Sequence, residues 1–547
     1  MGNIKYRFML VALSFLLSIA SFGQESANEP NCVVRNEFVT MDDGLKLAMD
    51  VYLPMGEGKY PCVLMRTPYG KAGAKNEGEQ FAKDGYVFVA QDCRGKYLSE
   101  GHFYPFVNER RDGLTTVKWI REQSWSNGKV GGWGGSYVGY TQWAISDELD
   151  VISPSLSGAD FYDLLYPGGL FSLQLAFRWG FYVDAPTGNR IEPEKLSAAY
   201  MLLPLSEADD LTYRDNPFTD DWLSHPLRDK YWEKIEHRGR AKCPVLLVGG
   251  WYDILLVSQL KDFEALRGKG RSESRLVIGP WCHGKQAFKN EYGGLERTGS
   301  SRDLMRRFMT KYLKDEDVKL IEEPFKDKRY ILFIMERNEY YGADEWPPKA
   351  ASFTNYYIGS DKYLGLKVPQ REGQLEYTYD PANPYPSKGG TILGEDVGPA
   401  LQNENVLRQD QVVFETEVLK SALTLLGPIG ATLYVSSDVR CTDFIVCLQD
   451  VFPNGNIINI QDGGATVRLE AESIKKAELS VWATGYQINP GHKLRAVITS
   501  SLFPRFNRNL NSGEPIFSAK TIKQAHQKIY FGAEYPSCIT LPILKLE

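Results

Sequence analysis

A chain of 547 residues is too long for one ordinary core, so two or three domains are expected. Its composition is that of a soluble globular protein rich in Tyr, Phe and Trp. With a formal net charge of -6 and no basic tract, it gives nucleic acid no electrostatic footing.

In chain order, Lys5 and Arg7 precede an apolar stretch from Phe8 to Phe22, followed by Gly23. A positive start, an apolar run too short for a comfortable membrane span and small residues near a cleavage point predict a signal peptide over residues 1–23. Export to the periplasm or beyond follows, with an uncleaved anchor as the alternative. No cysteine directly follows the run, so a lipid anchor is not expected, and no later segment is apolar enough to span a bilayer.

From Asn36 to Gly158 strands and helices alternate. Leu45–Tyr52, Tyr60–Arg66, Tyr86–Gln91 and Asp150–Leu156 read as strands, and Gly78–Asp84 and Arg111–Gln123 as helices. Such alternation predicts a mostly parallel, doubly wound sheet over 24–158. Residues 159–240 are aromatic-rich and poor in strand signals, which predicts a helical cap insertion. The sheet resumes over 241–320 with strands at Val245–Gly249 and Arg275–Gly279 and a helix at Asp303–Leu313. From 321 to 547, short strands beginning with Tyr330–Met335 are separated by turns such as Pro453-Asn454-Gly455. That pattern predicts an all-β sandwich, a jelly roll. The eight cysteines resemble neither a disulfide miniprotein nor a metal site. Cys441 and Cys447 form a candidate pair, while residues such as Cys62 and Cys243 read as buried thiols.

The chemistry starts at Gly134-Gly135-Ser136-Tyr137-Val138-Gly139, which joins an apolar strand to a helix-like stretch. A serine on such a tight turn is the sign of a nucleophile elbow, although Val138 stands where a glycine is usual. A serine hydroxyl needs a base, and the base needs a third group to hold it. In a doubly wound hydrolase sheet these follow in the order Ser, Asp or Glu, His. Asp253 lies just past the strand ending Gly249-Gly250-Trp251-Tyr252, and His283 lies on the loop after the next strand. The other five histidines are at 102, 225, 237, 492 and 526 and lack that order and setting. The backbone amide of Tyr137 is placed to donate to an oxyanion, and the hydroxyl of Tyr69 in Thr67-Pro68-Tyr69-Gly70 is a second candidate.

These residues resemble a known family. Thr67-Pro68-Tyr69-Gly70, Gln91-Asp92-Cys93-Arg94-Gly95, Gly134–Gly139, Gly250-Trp251-Tyr252-Asp253 and Gly279-Pro280-Trp281-Cys282-His283 match it in order. So do Asp450-Val451-Phe452-Pro453-Asn454-Gly455 and Gly491-His492-Lys493-Leu494-Arg495 in the tail. The family is that of bacterial cocaine esterase and X-prolyl dipeptidyl-peptidase, with α-amino-acid ester hydrolases and glutaryl acylases. The resemblance runs from about residue 36 to the end. It implies a triad of Ser136, Asp253 and His283, with Tyr69 as side-chain oxyanion donor beside the Tyr137 amide. It also places the second elbow glycine at Gly139, and Asp92 and Arg94 then read as a structural pair near the site.

The reaction expected is acyl transfer to water, without metal or organic cofactor. An ammonium-reading site would draw on Asp160, Asp163, Glu207, Asp209 or Asp210. Where the α-amino-acid ester hydrolases that this chain resembles carry acidic residues, it has Ile254-Leu255-Leu256 after Asp253, and Val138, which implies instead an apolar pocket, with Phe161, Tyr162, Phe177, Trp179 and Phe181 as candidate lining or insertion core. The expected partner is a small ester, amide or short peptide; a homo-oligomer stays open, and no nucleic acid is expected. The alternatives are an X-prolyl dipeptidyl-peptidase, an α-amino-acid ester hydrolase or glutaryl acylase, and a non-catalytic carbohydrate- or protein-binding jelly roll.

Overall fold

The computed structural model describes residues 32–185, 191–212, 215–284, 301–321, 324–394, 396–470 and 473–545. The expected signal peptide over 1–23 lies outside them. No helix among the described residues is long and apolar enough to cross a membrane.

The first sheet is built from β1 (Val33–Thr40), β2 (Lys46–Leu53), β3 (Tyr60–Thr67), β4 (Val87–Asp92), β5 (Ser126–Gly135), β6 (Val151–Ser155), β7 (Leu246–Tyr252), β8 (Arg275–Cys282), β9 (Tyr330–Ile334) and β10 (Glu339–Ala343). Their order is β1-β2-β4-β3-β5-β6-β7-β8-β9-β10. Neighbours from β4 to β9 run parallel, while β1, β2 and β10 join by antiparallel pairing. Every residue of β4, Val-Phe-Val-Ala-Gln-Asp, is buried. That is the mark of a strand covered on both faces by crossover helices.

The helices between the first strands are α1 (Lys75–Lys83), α2 (Glu109–Glu122) and α3 (Tyr137–Trp143). In α2, Val117 and Ile120 are buried at the helical spacing read from the sequence. The cap expected between β6 and β7 is helical: α4 (Tyr162–Leu165), α5 (Leu173–Asp184), α6 (Pro193–Met201), α7 (Pro217–Ser224) and α8 (Lys230–Glu233). The Asn216 side chain caps α7 by accepting the Thr219 N–H, with Pro217 at the first helical position. The cap also brings Asp209, Asp215 and Asp220 together, with one carboxylate oxygen of each within 4.8 Å of the others. Their sequence spacing does not flag that cluster. Beyond β7, α9 (Leu256–Glu264), α10 (Gly268–Ser272) and α11 (Ser301–Leu313) complete the helical cover.

One strand changes place relative to expectation. Tyr330–Met335 reads as the start of the C-terminal β region, yet Tyr330, Ile331 and Leu332 pair in parallel with Leu276, Val277 and Ile278 of β8. A short run of unbroken apolar residues reads alike in any sheet. Burial of all five residues of β9 suits a parallel sheet covered on both faces.

The C-terminal strands are β11 (Ala351–Ile358), β12 (Leu364–Gly365), β13 (Gly373–Tyr379), β14 (Gln411–Glu415), β15 (Leu423–Ser437), β16 (Cys441–Val451), β17 (Ile457–Arg468), β18 (Lys475–Ile488), β19 (Lys493–Thr499), β20 (Ala525–Phe531) and β21 (Cys538–Leu544). One sheet runs β12-β11-β21-β15-β20-β13 with β18 also on β15, and the other runs β14-β19-β16-β17. Both are antiparallel, as the jelly-roll expectation requires. All eight cysteines are free. Cys441 and Cys447 share strand β16. Six residues along a strand span about 20 Å, far beyond the reach of a disulfide.

The two parts meet behind the end of β7. Trp251 donates its indole N–H to Phe333 O at 2.6 Å, and Tyr252 donates its hydroxyl to Asn459 O at 3.2 Å. The Gln461 side-chain amide donates to Trp251 O at 3.2 Å. The strand end that carries Asp253 is therefore held by the β-sandwich as well as by its own sheet.

Candidate active site

β5 ends at Gly135 and α3 begins at Tyr137, which leaves Ser136 on the turn at φ 55 and ψ -128. A non-glycine residue rarely adopts that conformation, and such strain gathers at functional sites. The Ser136 N–H donates to Ser155 O at 2.9 Å, which fixes the turn against β6. A Cβ on Gly134 would lie 2.4 Å from Val138 Cγ1, and one on Gly139 would lie 2.4 Å from Ser157 Cβ. The glycines needed are thus two before and three after the serine. Val138 fits between them because its side chain fills the space Gly134 leaves.

Three side chains converge at the carboxyl ends of β5, β7 and β8. Ser136 Oγ lies 2.9 Å from His283 Nε2, and His283 Nδ1 lies 2.7 Å from Asp253 Oδ2. Asp253 is fully buried, and its Oδ1 accepts the Leu255 N–H at 2.9 Å. A carboxylate only accepts, so the His283 proton belongs on Nδ1. The Nε2 lone pair is then free to take the Ser136 proton.

Tyr69 follows β3, and its hydroxyl stands over the same point. The Trp179 indole N–H donates to Tyr69 Oη at 2.9 Å, which occupies an oxygen lone pair and leaves the phenolic hydrogen to donate. Burial pushes the Tyr69 phenol well above its ordinary range, so the donor stays protonated at any working pH. The Tyr137 amide opens α3, where an N–H has no partner within its own helix. Removing one oxyanion donor costs roughly a hundredfold or more in kcat. Tyr69→Phe should show that loss with KM little changed in steady-state kinetics; an unchanged kcat would remove the hydroxyl from the site.

Asp92 and Arg94 do not pair with each other. Asp92 accepts the Lys71 N–H at 2.6 Å, and burial pushes its carboxyl up to about 6. Arg94 instead bridges Asp112 at 2.5 Å and Asp43 at 2.7 Å. β4 ends at Asp92 and the chain turns at once, with the Lys96 N–H donating to Cys93 O at 3.1 Å, so Arg94 leaves the strand's face and the two side chains part.

Above Ser136 lies a cavity of about 350 Å³. Phe161 and Trp179 form part of its wall, as the sequence suggests, with Phe106, Leu175, Ile254 and Leu255. Tyr162, Phe177 and Phe181 do not reach it. Phe177 stacks on Phe181 at 4.9 Å inside the cap core, and Tyr162 donates its hydroxyl to Pro226 O beneath the Arg228 guanidinium. The helical period explains the split: Leu175, Trp179 and Tyr182 share one face of α5, while Phe177 and Phe181 share another. Leu393 from the C-terminal part also lines the cavity, held by its N–H to Gln174 Oε1 at 3.1 Å.

Of the five carboxylates considered for an ammonium, Asp160 alone borders the cavity. It is already paired with Arg228 at 2.5 Å and Arg238 at 3.1 Å. Asp163 meets Arg228, Arg238 and Lys261, and Glu207 faces Lys520. Asp209 accepts the Asn216 N–H at 2.6 Å, and Asp210 is exposed.

Behind the cavity, His237 is buried against the Tyr140 ring at 5.4 Å, with neither ring nitrogen hydrogen bonded to the protein. Burial, with Arg240 and Arg110 nearby, lowers it from the ordinary 6.5 to about 3. Between those values the unfolded chain binds a proton that the folded protein refuses, so this residue makes stability drop as the pH is lowered. His237→Phe should therefore gain on wild type as pH falls, by about 1 kcal/mol from pH 6.5 to about one unit below it and by up to about 1.4 kcal/mol per unit further down. Paired urea melts at pH 6.5 and 5.5 check it; a pH-independent difference would show that His237 protonates in the fold.

A doubly wound sheet that presents a serine on a strained strand-to-helix turn, linked through a histidine to a buried aspartate, is the framework of a serine hydrolase. The family model for X-Pro dipeptidyl-peptidase (S15 family) matches residues 43–285, and that for the X-Pro dipeptidyl-peptidase C-terminal non-catalytic domain matches residues 325–540. Cocaine esterase of Rhodococcus sp. (strain MB1 Bresler) is 33% identical over 94% of this chain and 99% of its own. The protein belongs to the S15 family of X-Pro dipeptidyl-peptidases and cocaine esterase, and it is an esterase-type serine hydrolase. Solved structures agree in fold. An aminopeptidase from the marine sediment archaeon Thaumarchaeota archaeon superposes with a TM-score of 0.82 at 24% identity, covering 96% of this chain and 99% of that one. A selenomethionine-labelled α-amino acid ester hydrolase gives 0.77 at 23% identity, covering 97% and 98%.

Proposed function

We propose that this protein is an exported acyl esterase or amidase whose nucleophile is Ser136, with His283 as base and Asp253 as its orienting carboxylate. The observation that carries the assignment is the continuous relay from Ser136 Oγ to His283 to Asp253, at 2.9 and 2.7 Å. Ser136 Oγ attacks the substrate carbonyl as His283 Nε2 takes its proton. Tyr69 Oη–H and Tyr137 N–H hold the oxyanion. His283 then protonates the departing alcohol or amine, which leaves an acyl-enzyme. Water gives a proton to His283 and attacks the acyl carbon, and collapse returns that proton to Ser136.

The cavity favours an uncharged acyl group. Its only bordering carboxylate among the described residues is already neutralised by two arginines, so a substrate ammonium would enter without a free partner. An unpaired buried charge costs several kcal/mol. An aromatic acyl group burying about 150 Å² there would instead gain roughly 4 kcal/mol. The name of the 33% identical relative, cocaine esterase, likewise specifies an ester. The second reading, an X-prolyl dipeptidyl-peptidase, rests on the family model's description.

Chromogenic acetyl, butyryl and benzoyl esters set against Ala-Pro and Gly-Pro p-nitroanilides separate the two. Ester cleavage should lead in kcat/KM by about a hundredfold or more, since the peptide's ammonium lacks a partner. Faster release of the dipeptides would overturn the ester reading. Export rests on Lys5, Arg7 and the apolar run to Phe22. N-terminal sequencing of the mature protein should begin after about Gly23, and an intact Met1 would sink it.

A further inference from the structure

Behind the oxyanion position lies a buried charge that the proton relay does not use. Glu109, the first residue of α2, is only 3% exposed. Its Oε1 accepts the Tyr137 hydroxyl at 2.8 Å. Its Oε2 faces Arg66 Nη2 at 3.0 Å, and Arg66 Nη1 donates to the Glu109 carbonyl at 2.6 Å. The Cys93 thiol lies 3.5 Å from Oε2.

The placement of these partners matters. Tyr137 is the residue whose amide is assigned to the oxyanion. Arg66 is the penultimate residue of β3, three before Tyr69, which is the other donor. Thr141 of α3 also donates its hydroxyl to Arg66 O at 3.3 Å. One carboxylate therefore ties the strand end that leads to Tyr69 to the helix that begins at Tyr137. The Tyr137 hydroxyl makes a second bond, in which it accepts the Phe106 N–H at 2.8 Å. Phe106 sits at φ 72, a left-handed conformation that an aromatic residue seldom takes, and its ring is part of the cavity wall. Burial and the Glu109 carboxylate push the Tyr137 phenol well above its ordinary range, so it remains a hydroxyl donor to Glu109.

We propose that Glu109 is a positioning residue for the oxyanion hole: through Arg66 and Tyr137 it sets both donors, and through Tyr137 and Phe106 it sets the adjoining pocket wall. The inference rests on the proposed function, in which Tyr69 Oη–H and Tyr137 N–H receive the oxyanion. A fixed carboxylate suits this role because the donors must be in place before charge develops, and displacement by even 1 Å is costly.

The test uses the full chain as wild type, Tyr137→Phe, Glu109→Ala and Glu109→Gln. Tyr137→Phe keeps the amide and the ring and removes only the hydroxyl. Fluorophosphonate titration counts competent sites, and p-nitrophenyl acetate is compared with its thiono counterpart, whose sulfur fits an oxyanion hole poorly. Per titrated site, Tyr137→Phe and Glu109→Ala should lose about 10- to 100-fold in kcat with KM within about threefold. The preference for the oxygen ester should shrink with kcat. Glu109→Gln, which keeps an acceptor for the Tyr137 hydroxyl, should recover part of both. A kcat per site within about twofold of wild type in Tyr137→Phe, with the oxygen preference intact, would overturn the proposal. So would a loss that appears only in the number of competent sites, which is a purely structural effect. If Glu109→Ala does not fold, Tyr137→Phe decides alone. Wild type that resists labelling at Ser136 overturns the hydrolase reading and this one with it. Labelled, active wild type beside an indifferent Tyr137→Phe overturns the role of Glu109 only.

Discussion

Ser136→Ala should lower kcat by about 10⁴- to 10⁶-fold and abolish fluorophosphonate labelling, with the melting temperature nearly unchanged. Alanine keeps the Cβ, so the backbone strain at φ 55 is the same in both proteins. The turn is set by the Ser136 N–H to Ser155 O and by the space at Gly134 and Gly139, neither of which involves the hydroxyl. The oxygen meets His283 Nε2 at 2.9 Å and the Tyr69 hydroxyl. Losing these hydrogen bonds at a partly exposed site costs about 1 to 2 kcal/mol, which is small against the expected loss of roughly 5 to 8 kcal/mol of transition-state stabilisation. Rate and stability should therefore separate cleanly. Activity within tenfold of wild type in this variant would mean that another group attacks the carbonyl.

The relay is readable because it depends on chain order and strand ends, and short apolar strands followed by Asp253 and His283 mark both. The resemblance already places the second elbow glycine at Gly139, but the reason needs three dimensions: Gly139 packs on Ser157 with no room for a Cβ. In the cap, composition points to aromatics without saying which face they occupy. The period of α5 separates Trp179 from Phe177, but choosing the cavity face requires knowing what lies on each side. β9 reads as part of the wrong sheet because five apolar residues carry no record of their neighbour. Glu109 is invisible for a related reason. An acidic residue opening an amphipathic helix reads as a solvated favourable end, and its burial arises only when β3 and α3 close around it.

These contacts also explain why a hydrolase sheet would carry a β-sandwich of its own size. The sandwich supplies Leu393 to the cavity and holds Trp251 and Tyr252 immediately before Asp253. A strand end clamped from two sides keeps the Asp253 carboxylate still, and the proposed relay, as catalysis by preformed geometry, would depend on that stillness.

Asp253→Asn should cost about 10⁴-fold in kcat, through the ring tautomer of His283 and with little loss of structure. Asparagine fits the same space but offers one acceptor and one donor where aspartate offers two acceptors. In the fold, Oδ1 accepts the Leu255 N–H at 2.9 Å, with Gln259 Nε2 also facing it at 3.5 Å. Both neighbours are donors, so the asparagine oxygen must face them and its NH₂ must face His283 Nδ1. That nitrogen then has to accept, which moves the ring proton to Nε2. An Nε2–H directed at Ser136 cannot take the serine proton, and the base is lost although every heavy atom stays in place. Nitrogen NMR of the His283 ring should find the proton on Nδ1 in wild type and on Nε2 in the variant. A variant that keeps the Nδ1 proton and works within about tenfold of wild type would show that Asp253 does not set the tautomer, and the third member of the relay would have to be sought elsewhere.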